Sequence, residues 1–393
     1  MADLDLIVEE LNASSAARER RASAVPASGD HRLLDLLRHM VGHGASDLLL
    51  VCGLPPAMRI RGELLRLAEG PLDSAEVEEI VFADLPVHAV KAYREGRSGD
   101  ASLRVPGLGR FRINLHRERG RAAATIRALP TKPPTMRSLN LPPEMDRISR
   151  IPRGLVLIAG ATGAGKTSTL AAIVNEINQR EARHIVTIED PVEYEHPHVK
   201  CVVEQVEVGI DAPDFPTALR SSMRQAPDVI VVGEMRDAET MRTALAAAET
   251  GHLVLSTMHA GDTASCIARI ADSFPTERQP TIRQEIAMGL AAVITQVLLP
   301  RQALSTAGDL KGPRGGRIPA VEVLIVSYGA RQLIRRNQLQ NLHQEITITR
   351  PQGSITFEES LARLVRSGDV AVQDAMTAAV HPDDLDALLR RTP

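Results

Sequence analysis

The feature that most constrains this 393-residue chain is a glycine-rich run that ends in lysine and threonine, with the spacing G-x-x-x-x-G-K-[ST]. It follows a short apolar segment, Leu155 to Ala159, and precedes a helical candidate, Ser168 to Arg180. In such a context glycines let backbone N–H groups converge on phosphate oxygens, the lysine reaches the terminal phosphates, and the hydroxyl ligates magnesium. The pattern predicts a P-loop for ATP and Mg²⁺, and the alternative is a turn that binds nothing. The predicted nucleotide-binding residues are Gly160, Ala161, Thr162, Gly163, Ala164, Gly165, Lys166, Thr167 and Ser168, of which Thr167 is also a predicted metal ligand.

A second signal is the apolar segment Val229 to Val232, which is followed by Gly233 and an acid, Glu234. An acid at the end of a strand in a P-loop domain typically faces the phosphate loop across the edge of the sheet. Glu234 is therefore predicted to hold magnesium, directly or through water, or to polarise the attacking water. The alternative is an ordinary carboxylate at a strand end.

A third segment, Thr187 to Glu193, again ends a predicted strand in acids, and Pro191 stops it. Glu189 is predicted to act as general base toward water, because phosphoryl transfer depends mostly on positioning and charge neutralisation. A solvated acid at the strand end is the alternative reading.

A fourth segment carries a histidine at each end of an apolar strand, His252 and His259. It follows the strand of Glu234, where P-loop ATPases keep residues that sense the γ-phosphate, so both histidines are predicted site residues. A lone histidine is more often structural, which is the alternative for each.

The order of these segments predicts an α/β fold with a largely parallel sheet in the second part of the chain. Prolines and glycines divide the chain further. We expect a flexible leader over residues 1–31, a small α+β domain over 32–130, a linker over 131–152, and the P-loop domain with C-terminal helices over 153–393.

Composition bears on the partners and the location of the protein. The net charge of −3 gives little electrostatic attraction to nucleic acid, so no nucleic-acid partner is expected. Cys52, Cys201 and Cys266 lie far apart, without a Cys-x-x-Cys pair, which favours a reduced, cytoplasmic setting. The apolar run from Ala287 to Leu299 is too short to span a bilayer, so we expect membrane association only through partners.

Taken in order, the four segments resemble the secretion ATPase superfamily, and most closely the PilT-like retraction ATPases of type IV pili. The Walker A, Asp box, Walker B and His box of that family are matched by Gly160 to Thr167, Thr187 to Glu193, Asp228 to Asp237 and Thr257 to Thr263. Further matches are Gly44 to Leu48 and Ala247 to His252.

The resemblance implies a PAS-like N-terminal domain, a RecA-like ATPase domain, and a cytoplasmic homo-hexamer that acts on an inner-membrane pilus platform protein. A paralogous pilus ATPase is a further candidate partner. The resemblance also implies that arginines of the first domain reach the nucleotide, and Arg112 and Arg127 occupy the matching stretches. A solvated strand arginine is the alternative for each.

Retraction, and hence twitching motility, is favoured over pilus assembly because the four-cysteine zinc motif and longer N-terminal region usual in extension ATPases are not found. Two departures keep an accessory retraction paralogue or a related type II/IV secretion ATPase open. The family's retraction motif appears as Gly329 to Arg336, with a base, Arg336, in place of the closing acid, and the Gly308 to Arg317 loop is long. A nucleic-acid translocase and a non-catalytic regulator are the remaining alternatives.

Overall fold

The computed structural model describes residues 32–60, 62–130, 132–302 and 316–390. The predicted leader and all but the last two residues of the Gly308 to Arg317 loop lie outside the described residues. The chain divides into two compact units. The first unit runs up to Lys132 and also includes Glu193–Glu195, and the second contains Pro133–Val192 and the chain from His196 onward.

Within residues 32–60 and 62–130, the first unit is a six-stranded antiparallel sheet with three helices. Its strands pair in the order β3-β2-β1-β6-β5-β4. In chain order the elements are α1 (Arg32–Gly42), β1 (Ala45–Val51), β2 (Ala57–Ile60), β3 (Glu63–Arg66), α2 (Ser74–Phe82), α3 (Val87–Arg94), β4 (Gly99–Val105), β5 (Gly109–Glu118) and β6 (Arg121–Leu129).

The two faces of this sheet differ because side chains alternate along each strand. On β5, Phe111 and Ile113 are buried in the apolar core of the unit, whereas Arg110 and Arg112 have the opposite parity. The helices supply the other half of the core, and α1 contributes Leu33, Leu36, Leu37 and Met40. The opposite face, on which Arg110, Arg112 and Arg127 lie, is called the arginine face below.

The second unit is a seven-stranded sheet with helices. Its strands pair in the order β13-β12-β7-β11-β10-β8-β9. The elements are α4 (Met145–Ile148), β7 (Gly154–Ala159), α5 (Lys166–Arg180), β8 (His184–Glu189), β9 (Val202–Glu207), α6 (Phe215–Ser222), β10 (Val229–Val232), α7 (Ala238–Glu249), β11 (Leu253–Met258), α8 (Thr263–Asp272), α9 (Gln279–Gly289), β12 (Leu290–Pro300), β13 (Arg317–Ile325), α10 (Tyr328–Arg335), α11 (Leu342–Ile348), α12 (Phe357–Arg366), α13 (Val372–Ala378) and α14 (Pro382–Arg390).

All strand pairs in this sheet are parallel except β12 with β13. Strands β7, β10 and β11 are buried along their whole length, as expected for apolar strands covered on both faces. Strand β10 begins and ends where the sequence predicts. Helix α5 begins two residues earlier than predicted, because Lys166 and Thr167 already have helical backbone.

The segment expected as a linker belongs, from Pro133 onward, to the second unit. Leu141, Met145 and Ile148 are buried in the same apolar core as strand β7. The prolines in this segment therefore mark turns between buried side chains, and burial of those side chains holds the segment against the second unit.

Among the described residues, no helix is both long enough and apolar enough to cross a bilayer. The apolar run from Ala287 to Leu299 is divided between the end of α9 and strand β12.

Candidate active site

Four of the predicted motifs meet at one edge of the second unit's sheet. Strands β7, β11, β10 and β8 are parallel neighbours, so their carboxyl ends lie side by side. The P-loop follows β7, Glu189 ends β8, Glu234 follows β10, and His259 follows β11. These carboxyl ends are called the P-loop edge below.

Residues 160–165 of the P-loop connect β7 to α5, and Lys166, Thr167 and Ser168 form the first turn of α5. Two of the glycines are required by close approach. A Cβ on Gly160 would lie 2.5 Å from the carbonyl oxygen of Gln296, and one on Gly165, which has φ 84°, would lie 2.9 Å from the Gln296 amide nitrogen. The loop thus packs directly on strand β12, and its helix start turns backbone N–H groups toward an anion site.

Lys166 is 8% exposed, and its ammonium donates hydrogen bonds of 2.9 Å to the carbonyl oxygens of Gly160 and Ala161. Burial lowers the pKa of Lys166, and the Glu234 carboxylate acts in the opposite direction. Neutral carbonyl oxygens leave the positive charge of a buried lysine uncompensated, so an anion such as phosphate stabilises it further. Lys166 is therefore suited to bind phosphate.

Gln296 on β12 is a residue of this site that none of the sequence motifs predicted. Its side chain is 2% exposed. The amide nitrogen donates to the carbonyl oxygen of Ala164 at 2.6 Å, and the amide oxygen accepts from the Thr169 hydroxyl at 2.7 Å. One amide therefore joins the loop to helix α5. A single glutamine among the apolar residues of a buried strand was the signal that could have identified it.

Glu234 lies directly beyond β10 and Gly233. Its carboxylate forms an ion pair with Arg236, and its Oε2 is 3.8 Å from Nε2 of His259. Burial, with a further contribution from the nearby Lys166, lowers the pKa of His259. The structure therefore brings Lys166, Glu234 and His259 together. Arg236, which no sequence motif singled out, completes the group.

Glu189 lies on the strand next to β10. The Gly233 N–H donates to the Ile188 carbonyl oxygen at 2.8 Å, and a Cβ on Gly233 would lie 3.5 Å from the Glu189 Cα atom. The Oε1 atom of Glu189 accepts hydrogen bonds from the Thr187 hydroxyl at 2.7 Å and from the Gln205 amide at 3.2 Å. The two predicted catalytic acids thus lie at neighbouring strand ends.

His252 is at the other end of β11, beside Gly154, to whose N–H its carbonyl oxygen is hydrogen bonded at 2.9 Å. Its ring nitrogen Nδ1 lies 3.0 Å from the Ala247 carbonyl oxygen. A strand of six residues is about 20 Å long, so His252 is remote from the P-loop edge. The structure does not bring His252 to the other predicted site residues, because the two ends of one strand reach opposite edges of the sheet.

Arg112 and Arg127 are directly opposed on β5 and β6 of the first unit. The Arg127 Nε donates to Oδ1 of the buried Asp47 at 2.8 Å, and Arg112 is 3.9 Å from Asp100. Burial raises the pKa of Glu193, while Arg112 and then Arg127 act in the opposite direction. The structure thus places both predicted arginines together on the arginine face, where acids balance their charge.

Magnesium fits the oxygen donors of the P-loop edge. The Thr167 hydroxyl and the Glu234 carboxylate are the ligand types that this cation prefers, and it is usually held by one or two such groups together with substrate phosphates and water. The described part of the chain contains no group of three His, Cys, Asp or Glu side chains that could hold a metal alone.

A cavity of about 290 Å³ adjoins the loop. It is bounded on the loop side by Gly165, Ser168 and Thr169, and on its other sides by Asn140 and Arg317. The Arg317 guanidinium also donates to the Gly163 carbonyl oxygen at 3.3 Å. The cavity is thus continuous with the P-loop and carries polar groups on its wall.

Comparison with known proteins decides the family. A model of the type II/IV secretion system proteins matches residues 138–377. The type IV pilus retraction ATPase PilT of Pseudomonas aeruginosa is 38% identical over 352 residues, which cover 90% of this chain and 99% of that protein. The chain belongs to this family. The predicted membership of the PilT-like secretion ATPases and the predicted enzyme class, an ATP hydrolase, are confirmed.

Two further relatives support the same grouping. The type IV pilus ATPase PilU of P. aeruginosa is 35% identical over 355 residues, covering 90% of each chain. A crystal structure of the pilus retraction motor PilT with bound ADP is 37% identical, has a TM-score of 0.81, and is matched over 91% of this chain and 100% of that one. The mixed α/β fold of this secretion ATPase is therefore that of the PilT structure.

The position of Gln296 generates the first prediction. Replacing Gln296 with Met keeps the side-chain volume but leaves the Ala164 carbonyl and the Thr169 hydroxyl without their partner, at a cost of about 1–3 kcal/mol. We expect the dissociation constant for ADP, measured by isothermal titration calorimetry, to rise by roughly tenfold or more. Val297→Ala, at the exposed neighbouring position, is the matched control and should bind ADP normally. Unchanged affinity in Gln296→Met would contradict the assignment.

The second prediction concerns His196, which follows the acids of the Asp box. Burial lowers the pKa of His196 to about 4 from an ordinary 6.5, and its Nδ1 is buried without a hydrogen-bond partner. The unfolded chain then binds a proton that the folded chain rejects, so stability falls as the pH drops from 6.5 toward 4.

The non-titrating variant His196→Leu should lose less stability over that range, with a difference of up to about 3 kcal/mol. Thermal unfolding of both proteins at pH 7 and pH 4.5 measures it. His88→Leu, at an exposed histidine, should leave the pH dependence of wild type intact. Equal pH dependence in wild type and His196→Leu would show that His196 is not neutral in the folded protein.

Proposed function

We propose that this chain is the ATP-hydrolysing motor subunit that drives retraction of a type IV pilus. The observation that carries the proposal is the meeting of Lys166, Glu234 and Glu189 at one sheet edge in a member of the PilT-like ATPases. The gonococcal relative described as a twitching motility protein, 34% identical over 355 residues, fits the same activity.

Each residue of the P-loop edge has a proposed task in hydrolysis. Lys166 neutralises the terminal phosphates, the P-loop N–H groups hold them, and the adjoining cavity receives the nucleoside. Glu189 orients the attacking water and accepts its proton. Thr167 and Glu234 would hold Mg²⁺, which would neutralise negative charge on the nucleotide phosphates. His259, close to Glu234, responds to the γ-phosphate. His252 has no task in this site.

The larger assembly is proposed on the family relationship. Six copies form a cytoplasmic homo-hexamer that is peripheral to the inner membrane and acts on the pilus platform protein, and the first unit is a PAS-like domain. Arg112 and Arg127 clamp the γ-phosphate bound to their own chain, so that hydrolysis releases the clamp and produces movement. Their cross-strand pairing on the arginine face supports a joint role.

An accessory retraction paralogue is the second candidate function. The observation that favours it is Arg336, which follows α10 and replaces the acid that closes the family's retraction motif. Replacing that acid with a base reverses the charge that a partner surface would meet. If expression of this chain restores twitching in a strain that lacks only its retraction ATPase, the main proposal is supported. Activity only together with another retraction ATPase would support the accessory role.

The third prediction separates binding from turnover. Lys166→Ala removes the cation at the phosphates and should weaken ATP binding by roughly a hundredfold, whereas Glu234→Gln should bind ATP and hydrolyse it at least about a hundredfold more slowly. Nucleotide titration and phosphate release measure the two effects. Glu239→Gln, an exposed acid on α7, is the control. Added DNA should leave turnover unchanged, and full activity in both variants would reject the site.

The fourth prediction tests the arginine clamp. Lys166→Ala chains mixed with Arg127→Ala chains should stay inactive, because a clamp within one chain leaves every site without one of the two groups. An arginine supplied by a neighbouring subunit would instead restore part of the ATPase activity. Light scattering should report about six subunits for each preparation, and exchange between labelled rings must be verified. Arg119→Ala, at an exposed arginine, is the control. Recovery on mixing would refute the clamp.

A further inference from the structure

Strand β9 carries a side chain that reaches the proposed general base. The amide nitrogen of Gln205 donates to Oε1 of Glu189 at 3.2 Å, and the amide oxygen of Gln205 accepts a hydrogen bond from the backbone N–H of His196 at 2.8 Å. One side chain therefore connects the candidate catalytic acid to the chain segment that leaves the Asp box.

The register of the two strands explains this geometry. Thr187 and Gln205 are directly paired between β8 and β9, and Glu189 lies two residues beyond Thr187 on the same face of β8. Both Thr187 and Gln205 donate to the same oxygen of Glu189, at 2.7 and 3.2 Å. Two donors on one carboxylate oxygen fix the plane of the carboxylate, and so the direction of its second oxygen.

The segment that follows Glu189 is held at several points. The Val192 N–H donates to the Glu207 carboxylate on β9 at 3.1 Å, and the His196 N–H donates to Gln205. Between these points lies Glu193–Glu195, which packs with the first unit. The Glu195 carboxylate forms ion pairs with Arg104 and with Arg110, and its Oε1 is 3.3 Å from the Arg110 Nε.

Arg110 is the most buried member of this group, because its side chain is 11% exposed, whereas that of Glu195 is 39% exposed. The next residue in the chain after Glu195 is His196, which belongs to the second unit. A single peptide bond therefore joins a residue held by the arginine face to the N–H group that Gln205 accepts.

We propose that Gln205 is a positioning residue for Glu189, and that Glu195 acts on Glu189 through the His196 N–H and Gln205. The proposal rests on the proposed function, since it takes Glu189 to act in hydrolysis. Displacing Glu195 from Arg104 and Arg110 shifts the His196 N–H, turns the Gln205 amide, and moves the Glu189 carboxylate off its catalytic orientation. The charge on the arginine face thereby regulates turnover.

A purely structural role for Gln205 makes a different prediction from this one. If Gln205 only held the segment around His196 to β9, Gln205→Glu would retain function, because a carboxylate still accepts the hydrogen bond from the His196 N–H. A positioning role requires the donor, which Gln205→Glu loses while placing a second negative charge beside Glu189.

We therefore expect Gln205→Glu and Gln205→Ala each to lower kcat for ATP about tenfold, as for loss of a hydrogen bond to a charged group, with KM within about twofold of wild type. The matched control is Glu204→Gln, which makes the reverse exchange of carboxylate for amide at the neighbouring residue, on the other face of β9. Its kcat should equal that of wild type. Wild-type kcat in Gln205→Glu would overturn the proposal.

A double-mutant cycle tests the connection to Glu195. Glu195→Gln should lower kcat severalfold in the wild-type background and have no further effect in Gln205→Ala, because the path is already interrupted. Independent, multiplying effects, or no effect of Glu195→Gln alone, would overturn the connection. If the wild-type protein hydrolyses ATP and Glu234→Gln does not, the proposed function stands, and these outcomes test only the role of Gln205. Absence of hydrolysis in wild type would instead refute the proposed function.

Discussion

The parallel register of β7, β11, β10 and β8 is the constraint on which the rest of the site depends. Backbone hydrogen bonds between these strands align their carboxyl ends, so residues more than 90 positions apart in sequence, from Gly160 to His259, reach one edge. Apolar side chains on both faces hold the strands in that register, because alternate residues pack in two different apolar cores and a slip of one residue would move each side chain into the wrong core. The positions of the acids at the P-loop edge therefore depend on the packing of apolar side chains in the sheet.

Much of this arrangement could be predicted from sequence, because short-range patterns carry it. An apolar run followed by a glycine-rich loop and a helix identifies Lys166 and Thr167, and an apolar run followed by an acid identifies Glu234. The same logic placed Glu189 and His259 at the same sheet edge. It was misleading for His252, since the pattern marks both ends of a strand, and only the direction of the strand tells which end meets the P-loop.

Other residues could not be predicted, because their roles depend on contacts between distant parts of the chain. Gln296 meets Ala164 across 132 positions, and Gln205 meets Glu189 only because of the register between β8 and β9. The expected linker raised a related difficulty. Prolines signal irregular backbone, but they do not tell whether neighbours such as Met145 and Ile148 find an apolar surface on which to pack.

The composition of the first unit bears on how the protein is made. Glu193–Glu195 completes that unit although some sixty residues of the second unit precede it in the chain. During vectorial synthesis, the ribosome must translate past residue 195 before Arg104 and Arg110 receive their counter-charge, by which time strands β7 and β8 have already been made. Maturation of the two units is therefore interleaved in time, and a fragment that ends at residue 132 lacks Glu195, the counter-charge of Arg104 and Arg110.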